Sequence, residues 1–211
     1  MHFVRLFFLL IFVTNLHSNN LSLTNDEKDF LKKNKIRCII TDNWSPFYFK
    51  EDNKFFGIGI DFWKIISQKA NISYNCKNTN SFNKVLSSIK DKTADITLST
   101  AITNDRLNYA NFSNSYISYP IAIATKINKN FIAKVSYLNY KKVAVGNAYS
   151  SYKLLSDKYP KIIFIKTKNT DEALSLVSNG QAYAAIDILP VLSYKIKDSN
   201  LHNLKISGTT E

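Results

Sequence analysis

The chain has 211 residues, 45% of them hydrophobic and 13% aromatic, which suits one or two globular units and excludes a disordered or fibrous chain. The formal charge is +12, but the lysines are spread along the whole sequence and arginine, the side chain that reads bases, is nearly absent. Nucleic acid is therefore not expected as a partner, and the charge at most favours an anionic ligand or a negative surface.

Residues 1–18 read as an export leader. His2 and Arg5 give a weakly positive start, an apolar core follows over 3–13, and Leu16-His17-Ser18 ends on a small residue. The run is short for a membrane span, with an uncleaved anchor as the alternative; either way the remainder is exported. Outside the leader only His202 is left, in a polar turn over 198–203 where solvation is expected. That excludes a histidine-rich metal site, and a Ser-His-Asp or Cys-His nucleophile would have to use His202 itself. No cofactor is expected. Cys38 and Cys76 meet an oxidising compartment. They fall on strands expected to be parallel neighbours, where the spacing often misses what a bridge requires, so two buried thiols are expected rather than a disulfide.

Residues 23–35 predict a helix with Thr24 as N-cap, Glu27 three residues on and a lysine-rich end. Residues 36–41 form a continuous apolar run, suited to a strand covered on both faces. The run ends in Trp44, Phe47 and Tyr48, which read as an apolar wall with a polar tip, or equally as packing at a strand end. Gly57 and Gly59 allow a tight reversal, and Asp61 is expected to cap a helix over 62–69 with Phe62, Ile65 and Ile66 as its apolar face. A short strand over 72–76 follows, then a helix over 81–90 capped by Ser81, with Phe82, Val85, Leu86 and Ile89 on one side. Together with a strand over 96–98 this makes a right-handed β-α-β-α-β unit.

After Asp95 and that strand, Ser99, Thr100 and Thr103 lead to Arg106. Open α/β folds place ligands where a strand leaves the sheet into such a loop. A guanidinium fork suits a carboxylate better than a lysine does. On residue chemistry alone, a solvated surface arginine remains the plainer reading. In the second half, strands are expected over 121–125, 142–145, 162–166 and 183–188, and a strand-like run over 204–207. Helices are expected from Ser150 to about residue 158 and over 170–179, the latter ended by Gly180. The turn around Asn147 and Ser150 opens the first of these helices and exposes backbone N–H groups to an anion, whether or not Ser150 also caps it.

The segment over 95–116 resembles the signature of the extracellular solute-binding proteins of family 3, the polar amino-acid-binding type. Asp95, Thr103, Arg106, Phe112, Ser113 and Tyr116 fit its D-hydrophobic, T-x-x-R and F-S/T-x-x-Y pattern without a gap. Trp44 to Phe47 fits W-x-P-F, and Gly57 with Asp61 fits G-x-x-x-D. Phe82, Leu86, Ile89 and Asp95 fit the next helix, with Lys92 where a glycine is usual. The resemblance covers nearly all the chain beyond the leader. It implies a type II periplasmic binding protein-like α/β fold, with two lobes of mostly parallel sheet, a hinge and no bond chemistry; lobe one would span 19–118 and lobe two 119–211. It also implies a ligand site of Trp44, Phe47, Thr100, Ala101 and Arg106 facing Asn147, Ser150 and Asp187. In amino-acid binders of the family an acidic residue near Asp187 holds the ligand's ammonium. Here the spacing before Pro190 departs by one, Ile188 stands where a polar residue is common, and Ala101 replaces a hydroxyl. The resemblance thus implies a small polar solute, an amino acid or carboxylate, with a plain carboxylate or another small polar solute as the alternative to an α-amino acid.

The prefix over 23–31 resembles one carried by binding domains fused to membrane histidine kinases and diguanylate cyclases. It implies the sensory front of a signalling protein, with a subunit serving an ABC permease as the alternative. The fold also resembles exported cyclohexadienyl dehydratases and the regulatory domain of a murein lytic transglycosylase. Glu51, Asp52 and Asp187 would have to supply an enzyme's acid or base and have no visible partner. A complete relative would continue beyond Glu211 and close over lobe one. A fragment that exposes apolar surface there is therefore expected.

Overall fold

The computed structural model describes residues 22–210, so the leader expected at 1–18 lies outside the described residues. Helix α1 (Asn25–Lys33) opens as its sequence dictates: the Thr24 hydroxyl accepts from the Glu27 N–H, and the Glu27 carboxylate accepts from the Thr24 N–H. None of its residues is buried.

Strand β1 (Ile36–Thr41) matches the expected run and leads into three short strands, β2 (Asn43–Trp44), β3 (Tyr48–Glu51) and β4 (Lys54–Phe56). These pair antiparallel as a small meander that the sequence reading missed. Helix α2 (Ile58–Lys69) begins four residues earlier than expected, because Gly57, at φ 120°, caps it. The N–H groups of Ile58 and Gly59 then donate to the carbonyls of Pro46 and Phe47, both at 3.0 Å. Asp61 is consequently not the cap; it lies in the first turn and pairs with Lys64. The buried face is Gly59, Ile60, Trp63 and Ser67, whereas the expected face of Phe62, Ile65 and Ile66 is exposed. Apolar spacing alone did not say which of two hydrophobic stripes meets the core.

Strand β5 (Tyr74–Thr79) lies parallel to β1 with Cys38 directly opposite Cys76, and the two are joined in a disulfide with Cα atoms 4.2 Å apart. This corrects the expectation of free thiols. Direct opposition puts both Cβ atoms on the same face of the pair, and register is what the sequence did not reveal. Helix α3 (Phe82–Lys90) follows as expected, though the Ser81 side chain makes no capping bond. The expected strand over 96–98 contracts to one parallel bridge between Ile96 and Cys38. Asp95 beside it is gripped by Arg37 through Nε and Nη2, at 3.0 and 2.6 Å, which holds its carboxyl below the usual range.

Helix α4 (Asn104–Leu107) is a single turn capped by Thr103. The chain then enters a five-stranded sheet built from β6 (Ile121–Lys126), β7 (Lys142–Gly146), β8 (Ile163–Thr167), β9 (Ala184–Ile188) and β10 (Leu204–Thr209). Its order is β10-β6-β9-β7-β8; β9, β7 and β8 run parallel, and β6 is antiparallel to both its neighbours. Helices α5 (Ser150–Lys158) and α6 (Thr170–Ser178) match the expected ones closely. Helix α7 (Leu189–Asp198), with a proline in its first turn, went unread in the sequence.

The central strands are buried on both faces, which is why they read as largely apolar runs, broken in β9 by Asp187. The alanines Ala122, Ala124, Ala144 and Ala185 let Ala173, Leu174 and Val177 of α6 approach closely. Ile123, Val143 and Ile186 point the other way, against Leu138 and Leu155. A separate core forms around Ile40, Phe47, Tyr48, Trp63 and Leu98. Val191 of α7 joins it, so α7 packs against both halves.

Candidate ligand-binding site

Between the two sheet systems lies a cavity of about 430 Å³, within the usual range for small-molecule sites. It brings together Trp44, Phe47, Thr100, Ala101, Arg106, Ser150 and Asp187 of the expected set. Asn147 does not line it; its N–H donates to the Thr167 carbonyl at 2.7 Å, tying the turn to β8.

Arg106 is the centre of the first wall. Only 4% of it is exposed, so it is not the solvated arginine that residue chemistry alone favoured. Nη1 donates to the Thr100 hydroxyl at 3.0 Å and to the Ala101 carbonyl at 2.7 Å, and Nη2 donates to the Ala148 carbonyl at 2.9 Å. The guanidinium also sits over the Phe82 ring, 5.3 Å from its centroid. Burial pulls its pKa below the ordinary value. Among the described residues it has no carboxylate within ion-pair distance, although a desolvated charge is costly unless paired.

The second wall is the tip of α5. Tyr149 takes the N-cap place and makes no side-chain capping bond, so Ser150 is the first helical residue and not the cap. Ala148 before it holds a left-handed φ of 65°, a conformation that L-residues other than glycine, asparagine and aspartate rarely adopt. Backbone strain of this kind clusters at functional sites, and here it occurs at the residue whose carbonyl receives Arg106. Tyr149 meets the edge of Phe82, and burial raises its hydroxyl pKa, so it stays a neutral donor.

Asp187 closes the far side with 3% exposure. Its Oδ2 accepts from the Thr170 hydroxyl and from Trp44 Nε1 at 3.3 Å, and its Oδ1 accepts from the Ile188 N–H at 2.8 Å. Burial outweighs these donors and raises its pKa to about 6. Outside the cavity, Lys195 Nζ donates at 2.7 Å both to Asn43 Oδ1 and to Asp171 Oδ1, and Asn43 in turn donates to Asp171. The sequence reading had Phe82 only as a helix face and gave no role to Thr170, Asn43 or Lys195. A lysine at the i, i+3 or i, i+4 positions of an apolar helix face would have been the signal for the last, had α7 been recognised.

The sequence pattern of the bacterial extracellular solute-binding proteins, family 3, matches residues 36–200. The virulence sensor protein BvgS of Bordetella pertussis is 20% identical over 177 residues, which are 83% of this chain and 14% of that protein. The probable amino-acid-binding protein YxeM of Bacillus subtilis is 29% identical over 166 residues, 77% of this chain and 62% of that one. The chain therefore aligns with less than two thirds of either relative. In fold, it is similar to the crystallised periplasmic VFT2 domain of B. pertussis BvgS, with a TM-score of 0.81 over 90% of this chain and 82% of that chain at 18% identity. Two α/β halves around a cleft, and a family pattern matched across most of the chain, lead to one assignment: this chain belongs to the bacterial extracellular solute-binding proteins, family 3.

Proposed function

We propose that this chain is an exported binding domain that closes on a small carboxylate-bearing solute, an amino acid or an organic anion, without chemical turnover. Its lobes would be 19–118 and 119–211, exported by the leader over 1–18. The observation that carries this reading is the buried Arg106, which lines the cavity and, among the described residues, has no carboxylate partner and keeps its Nε–H and one Nη2–H unbonded. An external carboxylate would complete it from one side. The N–H groups of Ser150 and Ser151, also without a partner among the described residues, would meet the same ligand from the other. Contacts from both walls are available together only when the lobes are closed, so binding shifts the population toward closure.

The similarity to BvgS, which is named a sensor protein, and the capped α1 prefix favour the sensory front of a membrane kinase or cyclase over a permease-associated receptor. A thermal-shift screen of amino and organic acids tests the reading, with small-angle scattering on each hit. A hit is expected to raise the melting temperature and reduce the radius of gyration. Absence of any carboxylate hit at millimolar concentration would remove the binding function.

A further inference from the structure

We propose that the end of the second sheet facing away from the cleft docks on an anionic phospholipid surface. This face is built from residues that take no part in the cleft, so it does not depend on what the cleft binds. Strand β6 leaves the cavity wall at Ile121 and ends at Lys126, about 16 Å further along. Thr125 and Val143 both pair with Ala184, and Lys142 pairs with Ile163. Lys126, Tyr183, Lys142 and Ile163 therefore stand side by side at the ends of four strands. The Tyr140 N–H donates to the Lys161 carbonyl at 2.8 Å and brings both residues to the same edge.

The charge here is of one sign. No Asp or Glu occurs between Asp105 and Asp157, and Asp157 is taken by Lys153. Among the described residues, Lys126, Lys129, Lys141, Lys142 and Lys161 have no carboxylate within ion-pair distance. Lys129 and Lys141 place their Nζ atoms 5.5 and 5.4 Å from the Tyr183 ring centroid, and Lys161 lies 6.0 Å from that of Tyr140. Like charges gathered in this way repel one another, and an external anionic surface relieves the repulsion. The edge also carries apolar surface: Tyr140 is 70% exposed, Ile127 56% and Ile163 51%. That combination selects the partner. A lipid surface offers phosphates to the ammonium groups and an interfacial layer to the tyrosine and isoleucine side chains. A water-soluble polyanion would meet the lysines and leave the apolar side chains with nothing to gain. Docking by this end leaves the mouth of the cleft free.

Co-sedimentation of the purified chain with vesicles tests the face, using phosphatidylcholine alone and with about 30% phosphatidylglycerol. The anionic vesicles are expected to bind at least about tenfold more tightly, and the difference is expected to shrink as salt is raised. Lys141, Lys142 and Lys161 are all exposed. Changing the three together to Glu is expected to weaken binding to anionic vesicles by at least about tenfold. Lys28, Lys32 and Lys33, exposed on α1, changed together to Glu make the same change in net charge and are expected to leave it within about twofold. Melting curves check that both variants fold. Tyr140→Ser alone is expected to weaken vesicle binding about threefold. Equal losses in the two triple variants would reduce the effect to net charge and overturn the proposal. Equal binding to neutral vesicles would overturn it as well. Retention on dextran sulfate without vesicle binding would replace the bilayer by a soluble polyanion.

Discussion

Arg106 in the first half donates from Nη2 to the carbonyl of Ala148 in the second, 2.9 Å across the cleft. The same side chain thus faces the cavity and ties its two walls. Arg106→Lys keeps the positive charge but loses the planar fork, so it cannot hold Thr100, Ala101 and Ala148 together. The expected result is a Kd for a carboxylate hit weakened about 10–100-fold, with scattering that reports a more open ligand-free state. An unchanged Kd would show that Arg106 is not the anchor.

Lys195 makes a second tie, outside the cavity. With 4% exposure it links Asn43 of β2 to Asp171 of α6. Lys195→Met keeps the apolar stem and removes the charge, while Asp171, more than a third exposed, can rehydrate. A loss of about 1–2 kcal/mol in urea unfolding is expected, with a larger ligand-free radius of gyration. If the scattering curve does not change, the cluster stabilises α7 locally and does not join the halves.

Asp187 gives the molecule a pH dependence of known sign. Burial raises its folded pKa to about 6, above the unfolded value of 3.8. A group that holds its proton more tightly when folded contributes stability that is complete below about pH 4 and is lost as pH rises through 6. Melting curves at pH 4.5 and 7 are therefore expected to differ more for the native chain than for Asp187→Asn. The difference should be on the order of 2–3 kcal/mol in favour of the lower pH. Equal slopes for the two proteins would show that Asp187 stays ionised.

The Cys38–Cys76 bridge closes a loop of 38 residues in sequence. Cross-links of that span typically add 2–4 kcal/mol by restricting the unfolded chain. Replacing both cysteines by serine is expected to lower the melting temperature while leaving the Kd of a hit within about twofold, because the pair lies outside the cavity lining. A large loss of affinity would instead tie the bridge to the shape of the first wall.

The strands of the second sheet and most of the helices were legible in the sequence because each is decided locally. Thr24 and Glu27 cap α1 within one turn, and β6, β7 and β9 are largely apolar because both their faces are covered, with Asp187 as the exception in β9. Arg106 and Trp44 were found through the spacing of family motifs, and local pattern alone would have left Arg106 a surface residue. Other features depend on what a segment meets far away in the chain. The start of α2 was set by Gly57 and by carbonyls at Pro46 and Phe47, and its buried stripe by which side the core of Phe47 and Leu98 occupies. The disulfide followed from the register of β1 on β5. The hydrogen bonds of Asp187 with Thr170 and Trp44, 17 and 143 residues away, arose only when three elements met. Hydrophobic period and capping act over one turn or one strand, whereas register, burial of a charge and the filling of its hydrogen bonds are properties of the assembled chain.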